Sequence, residues 1–243
     1  SDDIVSFTWL ESDTILATGS SPEIELAVGN HTIIVYVVDN DNLWNTDTTT
    51  VTVLPMIPNL VINEFMVFTE DVWIPDEDGE YFELYNMDSD PVDIRGFVLS
   101  SSENEFHIIS GDNPVEVPGN GYLLLGLSPW EWADDGTTPD YLYDGIMFNN
   151  TGEDFIELRT SFDQLVDVVT YDENWGIELG YSFELISPVL DNQDSQNWST
   201  AEDNAQFSEW GLFGTPGMSN SQFIYSGPVW HISSDAESGG NGS

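Results

Sequence analysis

Short runs of β-branched and aromatic residues recur along the whole chain, and turn-forming residues separate them. Some runs alternate apolar and polar positions, and others are continuously apolar. Clusters of Gly, Pro, Asn and Asp lie between them, and no stretch shows the sustained 3.6-residue repeat of an amphipathic helix. The pattern therefore predicts an all-β fold, with two Ig-like modules that are antiparallel β-sandwiches. The predicted strands are IVSFTWL, HTIIVYVV, TTTVTVLP, LVINEF, EYFELYN, GYLLLGL, DFIELR, LVDVVTY and YSFELI.

The segment VLPMIPNL places two prolines between two strand-like runs. Because proline has no N–H to donate to a sheet, we expect a domain boundary there. Residues 1–55 are assigned to a first module, 56–58 to a linker, 59–222 to a second module and 223–243 to a tail. A complete Ig-like sandwich takes about 100 residues, so the first module is expected to be truncated. The abrupt start and the Gly/Ser-rich end lead us to expect a segment of a longer protein.

The charge of the chain is extreme, with 45 Asp and Glu against two Lys and Arg, which gives a formal net charge of −43. Nucleic acids and anionic membrane surfaces bind through Lys and Arg, so both are excluded as partners. No stretch reaches 18 apolar residues, so no membrane insertion is expected. A like-charged surface stays soluble in a salty medium, which favours an extracellular or cell-surface location.

The sequence contains no catalytic constellation that we can identify. There is no cysteine, and no His pair or G-x-S-x-G motif is visible. One aromatic and acidic loop has the composition of a glycosidase site, with carboxylates beside a sugar-stacking platform. In a chain with 45 carboxylates such pairs arise by chance, so we predict that the chain is not an enzyme, although this loop can still bind glycan. The loop residues are Trp130, Glu131, Trp132, Asp134 and Asp135.

Calcium is the possible ligand, because hard cations prefer clustered oxygen donors. The acidic loops do not fit the spacing of an EF-hand, so they are either irregular calcium sites or solvated acidic loops. No other cofactor is expected. The candidate metal ligands are Asp39, Asp41 and Asp47 in the first module, and Asp71, Asp76, Asp78 and Glu80 in the second.

Two glutamates interrupt apolar strand patterns. Glu64 and Glu83 lie inside such runs, where a buried carboxylate needs a partner. Arg95 and Arg159 are the only permanent cations in the chain. We therefore expect one or both arginines to lie opposite these carboxylates as structural ion pairs.

The first module resembles a PKD-type or similar Ig-like surface repeat. In that family an aromatic strand leads to a hairpin, a G-x-H-T strand, an acidic loop and a T-V-rich strand. The family's W-D-F-G-D-G signature is absent, and WLESD stands in its place. An isolated Trp or His in a strand is usually packed and partly buried, so we expect packing roles for Trp9 and His31. The matching positions are Trp9, Gly29, His31, Thr32, Asp39 and Asp41.

The second module resembles a lamin tail domain, through LVINEFM, DGEYFELYN, PVDIRGFVLSS, VEVPGNGYLLLG, DFIELR, LVDVVTY and FGTPGMSN in the order of that family. The family is an Ig-like β-sandwich, so the resemblance implies a binding or structural module without catalytic residues. A long acidic insertion, SPWEWADDGTTPDYLYDG, lengthens one loop. The matching positions are Ile62, Asn63, Glu64, Glu83, Leu84, Asn86, Asp93, Gly96, Gly121, Tyr122, Asp167, Tyr171, Gly214, Thr215, Pro216 and Gly217.

Together these observations predict a non-catalytic binding or structural segment of a large extracellular protein, acting in adhesion, surface display or spacing. The expected partners are the other domains of the parent chain, surface proteins or glycans. The alternative is an accessory, glycan-binding domain attached to a secreted hydrolase. More Ig-like repeats beside this segment would favour the first function, and a catalytic domain would favour the second.

Overall fold

The structure is a computed structural model that describes residues 3–69, 74–101, 104–130, 133, 136–209 and 211–222. For residues 76 and 77 it describes the backbone alone. The chain divides into two units, Ser1–Met56 and Ile57–Ser243. The division falls inside the proline-containing segment VLPMIPNL. No helix in the described part of the chain is long and apolar enough to cross a membrane.

The first unit is a four-stranded antiparallel sheet with the strand order β2-β1-β3-β4. Of its apolar residues in the range 3–56, only Ile33 is buried. Tyr36 on β3 stacks against the exposed Trp44 of β4, with ring centroids 5.5 Å apart. The residues described in this unit therefore form a single layer. The strands are β1 Ile4–Glu11, β2 Thr14–Thr18, β3 Gly29–Asp39 and β4 Trp44–Val53.

The described part of the second unit contains the remaining strands and three short helices. The strands are β5 Leu60–Met66, β6 Tyr81–Asn86, β7 Val92–Asp93, β8 Val98–Ser100, β9 Phe106–Ile108, β10 Glu116–Val117, β11 Tyr122–Gly126, β12 Tyr141–Leu142, β13 Asp154–Arg159, β14 Leu165–Tyr171, β15 Phe183–Leu185 and β16 Trp198–Thr200. The helices are α1 Asp76–Gly79 and two 3-10 turns, Glu173–Trp175 and Ser195–Asn197.

These strands form a six-stranded sheet, a four-stranded sheet and a two-stranded ribbon. The six-stranded sheet has the order β12-β11-β6-β5-β15-β16, the four-stranded sheet has the order β14-β13-β8-β9, and β10 pairs with β7. Neighbouring strands are antiparallel except β11 and β12, which pair in parallel over two residues. This pair is the one departure, among the described strands, from the antiparallel pairing that the sequence predicts.

The main core lies between the six-stranded and four-stranded sheets, as in a β-sandwich. Both sheets contribute fully or nearly fully buried side chains to it. The prediction of an all-β fold is confirmed, and all nine predicted runs contain strands. The core includes Ile62, Phe82, Leu84 and Leu125 from the six-stranded sheet, and Leu99, Ile156, Leu158 and Val169 from the four-stranded sheet.

A second apolar cluster covers the outer face of the six-stranded sheet. Met66 on β5 and Tyr81 on β6 are register partners, and they belong to this cluster rather than to the main core. The central strands β5 and β6 are therefore buried on both faces. The cluster consists of Met66, Ile74, Tyr81, Leu124, Trp130, Phe207 and Leu212.

Candidate functional site

Three glutamates lie in register across the centre of the six-stranded sheet. Glu64 on β5 pairs with Glu83 on β6 at one side and with Glu184 on β15 at the other. Directly opposed residues share a face, with Cβ atoms about 4.5–5.5 Å apart. All three side chains are completely buried. We call these residues the glutamate row.

A β-bulge in β5 decides which face the glutamate row occupies. The register is regular up to Ile62 and Leu84, then shifts so that Glu64 opposes Glu83. Ile62 belongs to the main core, and without an extra residue Glu64 would share its face because the side-chain period of a strand is two. The bulge at Asn63 turns Glu64 to the outer face and leaves the next residue, Phe65, in the core.

The segment at residues 213–222 covers the glutamate row and begins with a tight turn. The Met218 N–H donates to the Thr215 carbonyl at 2.9 Å, and Gly217 has a φ of 78°. With Pro216 before it, this is the pattern of a type II turn, in which the third residue needs a positive φ and is therefore usually Gly. The turn directs several N–H and O–H groups of the segment at the row.

Glu64 accepts hydrogen bonds from the sheet and from the turn. Its Oε1 accepts from the Tyr81 hydroxyl at 2.5 Å and from the Thr215 N–H at 2.8 Å. Its Oε2 lies 3.0 Å from Thr215 Oγ1. Glu83 accepts from the Gly217 N–H at 2.5 Å and from Asn63 Nδ2 at 2.9 Å. Both carboxyls are therefore bound to residues far away in the sequence.

Glu184 binds the end of the same segment. Its Oε2 accepts from the Ser221 N–H at 2.7 Å, from the Ser221 hydroxyl at 2.6 Å and from the Gln222 N–H at 3.3 Å. Its Oε1 lies 3.0 Å from Thr215 Oγ1. Asn220, which lies between Thr215 and Ser221 in the segment, is also bound to the sheet, because its Nδ2 donates to the Leu185 carbonyl at 2.8 Å. All six carboxyl oxygens of the row thus have partners within the chain.

Burial raises the pKa values of the whole row. Burial, followed by the charge of Glu184, raises the pKa of Glu64 to about 7. Burial, followed by the charge of Glu64, raises the pKa of Glu83 well above its usual range, and burial raises the pKa of Glu184. The hydrogen bonds oppose these shifts without cancelling them. Burial therefore shifts all three carboxyls toward their neutral acid forms.

The arginines lie elsewhere, which corrects the expectation that they pair with Glu64 and Glu83. Arg95 donates to Asp93, with Nη2 to Oδ2 at 2.6 Å, and Arg159 donates to Glu157, with Nε to Oε1 at 2.7 Å. Each arginine thus binds a carboxylate two residues away in sequence. Both side chains are about one-third exposed, so the guanidinium groups keep contact with water. The glutamate row is satisfied by neutral donors instead.

Gly214 allows the segment to approach the row. A Cβ atom at this position would lie 2.7 Å from Glu64 Oε1 and 2.9 Å from Ser182 Oγ. Because real Cβ atoms do not come this close to other heavy atoms, any other residue would push the segment away from the sheet. The sequence G-T-P-G therefore combines a close approach with a turn.

The structure does not bring the three calcium candidates of the first unit together. Asp39 caps a turn, because its Oδ1 accepts from the Asp41 N–H at 2.9 Å and from the Leu43 N–H at 2.8 Å. Asp47 lies on β4 opposite Val35 of β3. Since β3 runs four residues further to reach Asp39, the separation along the sheet is about 13 Å.

The second calcium set is described only in part. Asp71 and the side chain of Asp76 lie outside the described residues. Asp78 is half-buried in α1, whereas Glu80 is buried and its Oε2 accepts from the Phe148 N–H at 3.2 Å. Within the described part of the chain, no group of three or more His, Asp or Glu side chains is arranged to hold a metal ion. Calcium binding stays a prediction from sequence.

The aromatic loop does not offer Trp130 as a sugar platform, which corrects the expectation from sequence. Trp130 is only 4% exposed, and its ring centroid lies 5.1 Å from that of Tyr81 and 5.6 Å from that of Phe207. Its indole is part of the outer apolar cluster. Glu131, Trp132, Asp134 and Asp135 lie outside the described residues.

A different tryptophan lines an open cleft of about 480 Å³ in the second unit. Trp175 is half-buried and packs against Phe183 and Trp198, with ring centroids 5.9 and 6.1 Å apart. Carboxylates, an amide and hydroxyls complete the lining, so the cleft combines an aromatic wall with hydrogen-bonding groups. Its polar residues include Asp172, Asp191, Gln193 and Asp194.

Comparison with known proteins adds little to this description. No protein-family model matches the chain, and no curated protein matches it. A solved structure of a DUF4876 family protein from Bacteroides thetaiotaomicron VPI-5482 is similar over 84% of this chain and 88% of that chain, with 8% sequence identity and a TM-score of 0.37. This likeness is too distant to assign a family or a function.

Sequence reasoning found two members of the glutamate row and missed the third. Glu184 lies in YSFELI, which we interpreted only as a strand, although the same F-E-L triplet surrounds Glu83 in EYFELYN. That repeated triplet is the signal that was available. The roles of Thr215 and Ser221 carried no such signal, because they depend on the return of the chain to the sheet.

Proposed function

We propose that this chain is a non-catalytic structural and binding module of a larger extracellular or cell-surface protein, with a role in adhesion, display or spacing. The glutamate row is the observation that carries this proposal. Carboxyls with strongly raised pKa values are candidates for catalysis. Here all six oxygens of Glu64, Glu83 and Glu184 are buried and bind groups of the chain itself. They act as internal supports for the fold.

The acidic surface and the motif order support the same proposal. A formal charge of −43 suits a protein that stays soluble in a salty medium and avoids nucleic acids. The motifs LVINEFM, EYFELYN and FGTPGMSN, which resemble a lamin tail domain, contribute Glu64, Glu83 and the covering turn to one structural unit. The module would then act by its stability and its exposed loops, in contact with other domains, surface proteins or glycans.

Protease treatment of intact source cells tests the location. Peptides of this chain should be released from intact cells and identified by mass spectrometry, before any release of a cytoplasmic marker. Recovery of these peptides only after lysis would contradict the extracellular proposal. An epitope tag at the end of the parent chain, probed before and after permeabilisation, is a matched second measurement.

A second candidate is an accessory module that binds glycan beside a secreted hydrolase, and the Trp175 cleft is the observation that favours it. Sugars stack on aromatic faces and bind carboxylates and amides through their hydroxyl groups. The cleft offers Trp175 together with Asp172, Asp191 and Gln193. Its negative charge selects against anionic polysaccharides, so the ligand class is a neutral glycan.

Titration with cellohexaose, laminarihexaose and chitohexaose tests this candidate, with an oligogalacturonate as the anionic comparison. A neutral sugar should change the tryptophan fluorescence, and Trp175→Ala or Gln193→Ala should weaken the binding at least tenfold. Trp44→Ala is the control, because Trp44 is exposed in the first unit. No response to any neutral sugar, or equal loss in the Trp44 variant, would remove this candidate.

A further inference from the structure

If Glu64 and Glu184 were both ionised, there would be too few hydrogen atoms to form both of the hydrogen bonds that link them through Thr215. Thr215 Oγ1 lies 3.0 Å from Glu64 Oε2 and also 3.0 Å from Glu184 Oε1. A threonine hydroxyl has one hydrogen and can donate to only one of these oxygens. The other contact is a hydrogen bond only if the carboxyl itself carries a proton and donates it to Thr215.

The other hydrogen bonds of Glu64 and Glu184 end on the two oxygens that do not face Thr215, and the nearby Ser182 hydroxyl makes no hydrogen bond to either Thr215-facing oxygen. Glu64 Oε1 is occupied by the Tyr81 hydroxyl and the Thr215 N–H, and Glu184 Oε2 by Ser221 and Gln222. The proton must therefore sit on one of the two oxygens that face Thr215. Two arrangements satisfy all atoms: Glu64 donates to Thr215, which donates to Glu184, or the same chain runs in the opposite direction.

The groups around this chain make loss of the proton costly. From the sheet, the titratable groups that face it are Tyr81, Glu83 and Tyr122. Burial raises the pKa of each, and the charges of neighbouring carboxyls raise it further. The covering segment, residues 213–222, has the sequence FGTPGMSNSQ and contains no charged residue. Among the described residues, no Arg or His donates a hydrogen bond to the row. A second negative charge there would have no counter-ion.

We propose that Glu64, Thr215 and Glu184 form a buried proton-binding site, and that loss of its single proton releases residues 213–222 from the outer face of the sheet. The segment binds through Thr215, Gly217, Ser221 and Gln222, all of which donate to the glutamate row. Once the proton is lost, repulsion between the carboxylates of Glu64 and Glu184 would break the hydrogen bonds that join them through Thr215. The closed segment and the bound proton therefore stabilise each other.

The proposal predicts a specific pH dependence of local opening. When the segment opens, water reaches Glu64 and Glu184, and their carboxyls return to ordinary acidity and release the proton. The opening equilibrium then rises about tenfold per pH unit while one proton is released, and becomes level once the closed form is itself ionised. Burial raises the pKa of Glu64 to about 7, which places the end of this range near pH 7. Strands without a titratable link should show no such slope.

Hydrogen exchange of the whole chain, corrected for the intrinsic pH dependence of exchange, measures this opening. Between pH 5 and pH 7 the protection of the amides of Thr215, Gly217, Ser221 and Gln222 should fall about tenfold per unit. Amides of β8, Val98–Ser100, serve as the internal reference, because this strand contains no titratable residue. The absence of a slope in residues 213–222 relative to β8 would overturn the proposal.

The variant Glu64→Gln removes the titrating proton of Glu64 but can keep its hydrogen bonds. A glutamine amide oxygen can accept from Tyr81 and from the Thr215 N–H, while its NH₂ group donates to Thr215 Oγ1. This variant should keep residues 213–222 protected and lower the slope by about one proton, leaving the part that comes from Glu83, whereas the exposed Glu116→Gln should retain the full slope. A Glu64→Gln variant that folds and keeps the wild-type slope would contradict the proposal.

Two further measurements apply if Glu64→Gln does not fold. Glu184→Gln offers the same exchange of a titrating proton for an amide donor, and the same loss of slope is expected. Carbon-13 NMR of the wild-type side-chain carboxyls at pH 5.5 is independent of any variant. It should show one of the pair Glu64 and Glu184 as a carboxylic acid, or both as a shared average. Two fully ionised carboxylate signals would overturn the proposal.

Discussion

The two units of the chain differ in how completely they bury their apolar surface. In the first unit the sheet is a single layer among the described residues, and Val5, Ile15, Leu43 and Trp44 are exposed. In the second unit the central strand β5 is buried along its entire length. Full burial of a large apolar side chain stabilises by about 1.5–3 kcal/mol. The second unit therefore holds most of the chain's apolar stabilisation.

The difference explains where carboxyls with raised pKa values occur. Burial away from water raises the pKa of a carboxyl because it disfavours the charged form. The glutamate row has the main core on one side of the sheet and residues 213–222 on the other. In the first unit, by contrast, the Asp39 carboxylate caps an exposed turn by accepting from the Asp41 N–H. Acidic side chains therefore have different roles in the two units.

The largest expected effect comes from matched core truncations. Leu84→Ala removes a fully buried side chain of the second unit and should lower the free energy of unfolding by about 2–5 kcal/mol. Leu10→Ala on the half-buried β1 should cost less than half as much. Hydrogen exchange resolves the two units in one experiment, and β1 to β4 should exchange faster than β5 and β6. Equal exchange rates would break the comparison.

The next effect is a loss of stability with rising pH that is specific to the second unit. The pKa of Glu64 is raised from 4.5 to about 7, so the folded state binds the proton more tightly than the unfolded state. The stabilisation is complete below pH 4.5 and is lost as the pH rises to 7, which amounts to about 3 kcal/mol at 1.36 kcal/mol per pKa unit. Urea unfolding between pH 4 and pH 8 measures it.

The Glu64→Gln variant should remove this part of the pH dependence. Burial also raises the pKa values of Glu83 and Glu184, and that of Asp167 to about 6, so a slope of the same sign from these groups should remain in that variant. Glu116→Gln serves as the surface control and should behave as the wild type. A stability of the second unit that increases steadily from pH 4.5 to pH 7 would show that the sign is wrong.

Gly214→Ala should have an intermediate effect, confined to the covering segment. The added methyl group would lie 2.7 Å from Glu64 Oε1, so residues 213–222 must move away from the row, at a cost of about 1–3 kcal/mol. Gly111→Ala is the control, because its nearest neighbour would be 3.4 Å away. Exchange of the Gly217 and Ser221 amides should increase in the first variant only. Unchanged protection there would mean that the approach is not tight.

Salt should stabilise both units to a smaller extent. Sodium chloride shortens the Debye length from about 30 Å at 0.01 M to about 3 Å at 1 M, which screens the repulsion within a chain of charge −43. The melting temperature should therefore rise over this range, as followed by circular dichroism. The buried row is screened least, so its pH dependence should persist at 1 M salt. A flat or falling melting temperature would contradict the prediction.

The smallest expected effect is that of calcium. We predict weak binding at the acidic turn of the first unit or at the Asp71, Asp76 and Asp78 loop of the second. Calcium chloride should raise the melting temperature slightly more than sodium chloride of equal ionic strength, and chelator should reverse the difference. Asp41→Asn tests the first site without removing the caps that Asp39 provides. Absence of heat in calorimetric titration, with unchanged melting in chelator, would exclude both sites.

Local features of the fold were predictable because they depend on neighbours in the sequence. The alternating and β-branched runs predicted nine of the strands, including β3, β5 and β6, but not the five-residue strand β2. The short strands β7, β10 and β12 contain two residues each, too few to show a period. The turn at Thr215 to Met218 likewise follows from its Pro-Gly pair. These elements need no information from distant parts of the chain.

The sequence by itself determined the all-β class, the acidic surface and the presence of glutamates within apolar strands. Only the tertiary structure decided what those glutamates do. One bulge at Asn63 selects the face of Glu64, and its donor Thr215 lies 151 residues further along the chain. The register of the strands and the return of residues 213–222 to the sheet depend on the sum of many distant contacts, so no local sequence pattern encodes them. For the same reason the arginines, which pair within two residues, could not be excluded from the row until the sheet was seen.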